Sequence, residues 1–351
     1  PYPDIFRPQG PGPDDPALYR AEDSDTAFLT DEFIAGMTGR PQGWFAHLTY
    51  IRPHPPLVVP EPFNTMYDPA SLPSPRIVRD RASQAASHPF DGPLLEQKGA
   101  KDQVVGLSGL KDTPETVAQL RAIYLALASE VDQHFGRIIA FLKETGQFDN
   151  TLIVVMADHG EMLGDHHSWG KMHYYDAAYH TPLIIRDPAL KAGFGREIDA
   201  PTESVDVTPT ILGLLGLDIP DTMDGRSLAP FLRGEAPDDW RDYSYSELDF
   251  GDPVDPTFWQ TRLGLDSDQT NFAILRGRKH TLVHFNGGLP PILFDHESEG
   301  EARNVANDPA ASPILLEMTQ RLLNHRLTHS EGRFARTMIT AEGARRAPRV
   351  F

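Results

Sequence analysis

Among its 351 residues the sequence has no cysteine, which excludes disulfides, thiolate nucleophiles and cysteine-ligated metals within this chain. That absence does not fix a compartment, since secreted and cytosolic chains both do without the residue. It also has no run approaching about 18 apolar residues, so hydropathy offers no transmembrane helix. Positive charge is scarce: 32 Lys and Arg stand against 50 Asp and Glu, a formal charge of −18. Such a balance argues against a general nucleic-acid surface or an anionic membrane as partner. It still allows a small anionic substrate, because a cation and a lysine can reverse the potential inside one cleft. Internal repeats are missing too. What remains is a chain with 40% hydrophobic residues, enough for one large or two unequal α/β units.

Residues 1–30 are polar and rich in proline, and read as irregular surface chain. The segment GWFAHLTYI, 43–51, predicts a strand that feeds the loop RPHPP. There Pro53, Pro55 and Pro56 block helix on both sides of His54. Residues 60–110 show no firm period and read as a lid or wall. Residues 114–145 predict a long helix, capped by Asp112 or Thr113 and started by Pro114. Its apolar stripe runs through Val117, Leu120, Tyr124, Leu127, Val131, Phe135, Ile138 and Leu142. A short turn then leads into an apolar strand, half of a crossover unit, so a parallel sheet is expected. Beyond residue 240 the pattern changes. FAILRGRKHTLVHF, 272–285, alternates around Gly277-Arg278-Lys279 as a hairpin, PPILFD adds a strand, and 313–328 reads as an amphipathic helix.

The densest chemistry lies in 151–171, TLIVVMADHGEMLGDHHSWGK. Residues 151–157 read as a buried strand with Asp158, His159 and Gly160 at its carboxyl end, the edge where ligands bind in open α/β sheets. Asp158 and His159 offer one oxygen and one nitrogen to a shared point, donors that suit a divalent cation. Gly160 lets the backbone turn sharply behind them. Lys171, one loop later, brings positive charge to an anion held by that cation. Each has a plainer reading: a helix cap and polar loop residue for the pair, a solvated surface lysine, and a backbone-bonded loop histidine for His54. His166, His167 and His173 crowd the same loop and read as residues supporting it, with Asp165 placed to orient one of them. Glu161 reads as the start of the next turn, not as a ligand.

ADHGEMLGDHHSWGK resembles the metal-site segment of the sulfatase branch of the alkaline phosphatase superfamily. GKMHYYDAAYHTPLIIRDP leans toward the phosphonate monoester hydrolase and arylsulfatase group within it. YIRPHPP at 50–56, VDVTPTILGLLGL at 205–217, DGRSLAPFLRGE at 224–235 and LFDHESEGEARNVANDP at 293–309 match further family segments in the same order.

The resemblance implies an α/β fold with a mostly parallel sheet flanked by helices, and a smaller C-terminal α+β unit holding an antiparallel sheet. Residues 1–240 then form the remainder of a catalytic domain, 241–329 the subdomain and 330–351 an arm. It implies one divalent metal ion on Asp158 and His159, Mn²⁺ or Ca²⁺ ahead of Mg²⁺, Fe²⁺ or Zn²⁺. Lys171, thirteen residues past Asp158, would meet sulfuryl or phosphoryl oxygens. His54 would bind a non-bridging oxygen or serve the leaving group as general acid. The chain then corresponds to the C-terminal two thirds of an enzyme whose Cys-x-Pro-x-Arg segment, source of a formylglycine nucleophile, lies outside it. SLPSPR, 71–76, is a poor serine substitute for that signature, since its arginine comes one residue late.

The function so implied is metal-dependent hydrolysis of sulfate monoesters, phosphonate monoesters or phosphodiesters. A phosphoryl-transfer enzyme with a Thr or Ser nucleophile, and a non-catalytic fragment or paralogue, stay open. The expected partner is a small anionic ester, with no nucleic acid and no membrane. The arm, with Arg333, Arg336, Arg345, Arg346 and Arg349, is expected to join copies into a homo-oligomer, with a frayed end as the alternative. Cytoplasm is slightly favoured over periplasm.

Overall fold

The structure, a computed structural model, describes residues 5–191, 193–331 and 337–346. It divides into two compact units, residues 1–151 with 160–171, and residues 152–159 with 172–351.

The first unit is helical. It holds α1 (Asp25–Met37), the short α2 (Arg81–Ala85) and α3 (Asp91–Gln97), and the long α4 (Pro114–Glu144). Ser24 caps α1 by accepting from the Ala27 amide, and Thr113 caps α4 by accepting from Thr116, with Pro114 at the first helical position. The inner face of α4 presents Val117, Leu120, Ile123, Ala126 and Leu127 to Leu57, Val59, Phe63, Val104 and Trp169. The expected stripe is met at Val117, Leu120, Leu127, Ile138 and Leu142, which are buried. Val131 and Phe135 are only half-buried, and Glu130 and His134 take their place inside. Residues 43–51 form no strand. They have no ladder partner among the described residues, and Phe45 is 78% and Ile51 56% exposed. After them Leu57, Val58 and Val59 are buried and tied by Leu57 N to Gln103 O and by Ala17 N to Val59 O. The loop carrying His54 thus leaves from a fixed base.

The second unit contains β1 (Ile153–Met156), α5 (Asp176–Tyr179), β2 (Leu183–Arg186), α6 (Val207–Leu214), α7 (Ala229–Arg233) and β3 (Tyr243–Asp249). It continues through α8 (Phe258–Leu263), β4 (Asn271–Gly277), β5 (His280–Phe285), β6 (Ile292–Asp295), α9 (Ser312–Arg326), β7 (Thr337–Thr340) and β8 (Gly343–Arg346). Strands β3 to β6 pair in chain order as an antiparallel sheet, with Phe272 opposite Phe285 and Leu275 opposite Leu282. Its inner face meets Met318 and Leu322 of α9 around the fully buried Leu275, Leu282 and Leu293. This is the antiparallel α+β unit expected from the sequence, extended by β3.

Among the described residues no ladder is parallel. The apolar strand at 153–156, expected in a parallel sheet, pairs antiparallel with β2 from Ile153–Arg186 to Met156–Leu183. A parallel return needs a substantial crossover, usually a helix, and between these strands stands only the four-residue α5. Nor is the pair buried, since Met156 is 43% and Ile184 62% exposed. In the expected arm β7 and β8 make an antiparallel hairpin. Arg333, Arg336 and Arg349 lie outside the described residues. No helix of the described residues is long and apolar enough to cross a membrane.

Candidate active site

In the first unit the segment from Gly160 to Lys171 folds back on itself. The Met162 amide donates to Gly170 O and the Gly164 amide to Ser168 O, while Glu161 accepts from the Gly170 amide at 2.5 Å. Met162 and Trp169 are buried at the base. The reversal demands left-handed backbone: Gly164 has φ +89°, and Leu163, His166 and His167 have φ of 46°, 51° and 61°. Such strain in bulky residues persists only where surroundings over-determine it, and it gathers at functional sites. A side chain at Gly164 would come within 2.8 Å of Val117 Cγ1, so helix α4 sets how tightly the loop closes.

Polar contacts pin the loop from outside. Arg121 of α4 donates to Leu163 O at 2.8 Å and pairs with Asp165 at 3.4 Å. Asp165 also accepts from the Arg76 amide, and Arg76 O accepts from the His166 amide. His167 Nε2 lies 2.9 Å from Arg79 O, and because a carbonyl only accepts, that nitrogen carries the proton. Arg81 donates to His167 O. His166 is buried, and desolvation followed by the charges of Arg76 and Arg79 pushes its imidazole down to about 3, so it is neutral at ordinary pH. His166 and His167 therefore support the loop, as expected, whereas His173 lies in the other unit, buried against Tyr174 and Tyr175. Asp165 departs from expectation: it holds Arg121 and the Arg76 backbone.

The loop delivers Lys171 to His54, with Nζ 3.2 Å from His54 Nε2. His54 Nδ1 lies 2.6 Å from Pro55 O, which can only accept, so Nδ1 is protonated. Nε2 then faces the Lys171 ammonium with its lone pair. A histidine and a lysine 117 residues apart thus meet at one exposed point. An anion there would find an ammonium, and a leaving group would find an imidazole beside a proton donor.

In the second unit Asp158 and His159 follow β1, after the Ala157 amide donates to Pro182 O. Asp158 Oδ1 accepts from the His159 amide, and Asp158 Oδ2 stands 3.7 Å from His159 Nε2. Two donors on one ion at metal–ligand lengths of about 2.1–2.3 Å stand within roughly 4.5 Å of each other, so this pair fits part of a divalent shell. It fits only a part. Among the described residues no group of three or more His, Asp or Glu could hold a metal ion. The candidates therefore sit two by two, Lys171 with His54 in one unit and Asp158 with His159 in the other.

Sequence reading missed Arg121 and Arg81, whose partners are distant in the chain and leave no local pattern. It also passed over Arg52, although that residue stands inside the quoted RPHPP.

Comparison with known proteins agrees with the motifs. The model of the family described as Sulfatase matches residues 3–217, and that of N-sulphoglucosamine sulphohydrolase, C-terminal, matches residues 164–328. The chain is 36% identical over 342 residues to a multifunctional alkaline phosphatase superfamily protein of Trinickia caryophylli, covering 93% of this chain and 65% of that one. It is 31% identical to an arylsulfatase of Clostridium perfringens, covering 60% and 41%. The chain thus spans less than two thirds of these curated relatives. Among solved structures, the phosphonate monoester hydrolase of Silicibacter pomeroyi is 55% identical with a TM-score of 0.95, covering 100% of this chain and 70% of that one. That of Agrobacterium radiobacter is 38% identical with a TM-score of 0.92, covering 99% and 70%. With a family model spanning well over half of its residues, the chain belongs to the sulfatase family.

Proposed function

We propose that this chain is the larger part of a metal-dependent hydrolase acting on phosphonate monoesters, sulfate monoesters or phosphodiesters. The observation that carries the reading is the meeting of Lys171 and His54 across 117 residues of chain. The printed activities of the two similar solved structures support it. Lys171 holds the equatorial oxygens as charge grows on them, the task of a preoriented donor. His54, with Nδ1 fixed on Pro55 O, keeps Nε2 against Lys171 Nζ and so sets where that ammonium meets the substrate. Asp158 and His159 hold a divalent ion with further ligands from residues outside this chain. When bound, that ion supplies Lewis acidity. The nucleophile is assigned to the family's formylglycine, also outside this chain. The mostly parallel part of the sheet is assigned to strands that join β1 there, residues 241–329 to a subdomain, and the arm from 330 onward to contacts between copies.

The test uses protein extended to the length of its relatives. Lys171→Ala should lower turnover of an aryl phosphonate monoester and an aryl sulfate by about a hundredfold, the scale of one lost oxyanion donor. Near-native turnover would sink the role of Lys171. Absence of turnover on both esters by the unmutated, metal-loaded protein would sink the hydrolase reading.

A further inference from the structure

The guanidinium of Arg52 is buried, with its side chain 2% exposed, yet every arm of it is engaged. Nη1 donates to Pro56 O at 2.8 Å and to His54 O at 3.3 Å. Nη2 donates to the Tyr19 hydroxyl at 3.2 Å, and Nε faces Asp25 Oδ1 at 3.3 Å. The face of the group lies 4.8 Å from the centre of the Phe6 ring. Opposite it, in the middle of α4, stands Glu130, wholly buried and without a well-formed hydrogen bond to either oxygen. Burial pushes that carboxyl up, against the pull of the Ser24 hydroxyl and the Arg52 charge. A buried charge network of this kind is costly unless geometry fixes something of use.

What it fixes is one short piece of backbone. Arg52 grips the carbonyls of residues 54 and 56, and the carbonyl between them, on Pro55, accepts from His54 Nδ1 at 2.6 Å. With both flanking carbonyls held, the middle one has little freedom. Its direction selects the Nδ1–H form of His54 and so leaves the Nε2 lone pair for Lys171. Both carbonyls are held by the two N–H groups of Nη1, whose directions are fixed because Nε, Nη2 and the face of the guanidinium are engaged elsewhere, whereas a lysine ammonium has no such plane to fix it. We propose that Arg52 is the positioning residue of His54, setting its tautomer through the carbonyls of residues 54 to 56.

This rests on the reading of His54 as the residue that sets where Lys171 meets the substrate. The test needs no turnover, so failure of the hydrolase reading and failure of this one can be told apart. In the chain labelled with ¹⁵N at histidine, with His54 assigned by its loss in His54→Gln, the native ring should show a protonated Nδ1 and a bare Nε2. Arg52→Lys keeps the charge and loses the fork. It should stay folded by melting curve while the Nε2–H form, minor in the native chain, becomes the major one. Should Arg52→Lys not fold, Arg52→Gln, which is shorter and has no Nε or second Nη donor, is read in its place with the same expectation. Asp25→Asn weakens the Nε contact and leaves the carbonyl grip, so its His54 signals should remain native. Native His54 signals in the folded Arg52 variant would overturn the proposal. So would an Asp25→Asn variant that shifts them equally, since charge balance would then be placing the ring.

Discussion

Single positions in this chain are fixed by how closely other backbone approaches them. Gly225, in the quoted DGRS segment, shows it most sharply: an added Cβ would lie 1.9 Å from Val205 O and 2.8 Å from the Asp206 amide nitrogen. Those neighbours cannot yield, because buried Asp206 accepts from the Arg226 amide and takes a two-pronged contact from Arg241 at 2.5 and 2.7 Å. Gly225→Ala should therefore cost about 3 kcal/mol by urea denaturation, the upper end of overpacking. Gly36→Ala, inside α1 with nothing within 4 Å of the new methyl, should instead raise stability by about 0.5–1 kcal/mol. Histidine adds a pH dependence at the same scale. His166, pushed down to about 3, binds no proton in the folded state where the unfolded chain, near about 6.5, already does. Its share of stability is complete above about pH 6.5 and is lost as pH falls toward about 3. Denaturation midpoints measured across that window should fall steeply with acid for the native chain and less steeply for His166→Gln. Some slope should survive, since burial and His329 push His325 down to about 4 in the other unit. A slope unchanged by the substitution would show that His166 is not held neutral.

Elements differ in how plainly the sequence declares them. The long helix α4 announces itself by Thr113, Pro114 and a sustained stripe, because those signals are local. Which side chains end up deepest is not local. Packing of α1 against α4 draws Glu130 and His134 inward, where a hydropathy pattern places Val131 and Phe135. Leu127→Ala, at a wholly buried position, should cost about 3 kcal/mol, while Val131→Ala should cost about 1 or less. Equal costs for the two would restore the periodic reading over the structural one. The hairpin β4–β5 and the strand β6 were equally legible, through alternation and the turn at Arg278 and Lys279. The strand β3, YSYSELD, was not, since its polar half hides the period. For β1, composition declares a strand but cannot say which way its partner runs. That depends on how much helix stands in the connection, and α5 is a single turn. The site follows the same rule. Motif spacing picked out Asp158, His159, Lys171 and His54, while Arg52, Arg81 and Arg121 act through carbonyls of distant residues, and a backbone carbonyl leaves no mark on a sequence.

At the scale of the molecule the chain passes between its two units three times within a few residues of the site. Leu152 to His159 belong to one unit and Gly160 to Lys171 to the other, so no single cut separates them. The twelve residues from 160 to 171 bring the first unit more than Lys171. They bring Trp169, 2% exposed, packed in the cluster of Val117, Leu120 and Leu127, with its indole nitrogen donating to Asp112 at 2.9 Å. Removing a buried tryptophan costs about 3–5 kcal/mol, against a total stability of about 5–15 kcal/mol for a typical domain. The cost here is larger, because Arg121 and Arg81 also lose the carbonyls of residues 163 and 167. Residues 1–151 expressed alone should therefore show no cooperative thermal transition by circular dichroism, whereas residues 1–171 should recover one. A sharp transition in the shorter piece would mean that the loop bearing Lys171 is an appendage and not part of that unit's core. Recovery in the longer piece would tie the placement of the lysine to the folding of the helices that hold His54.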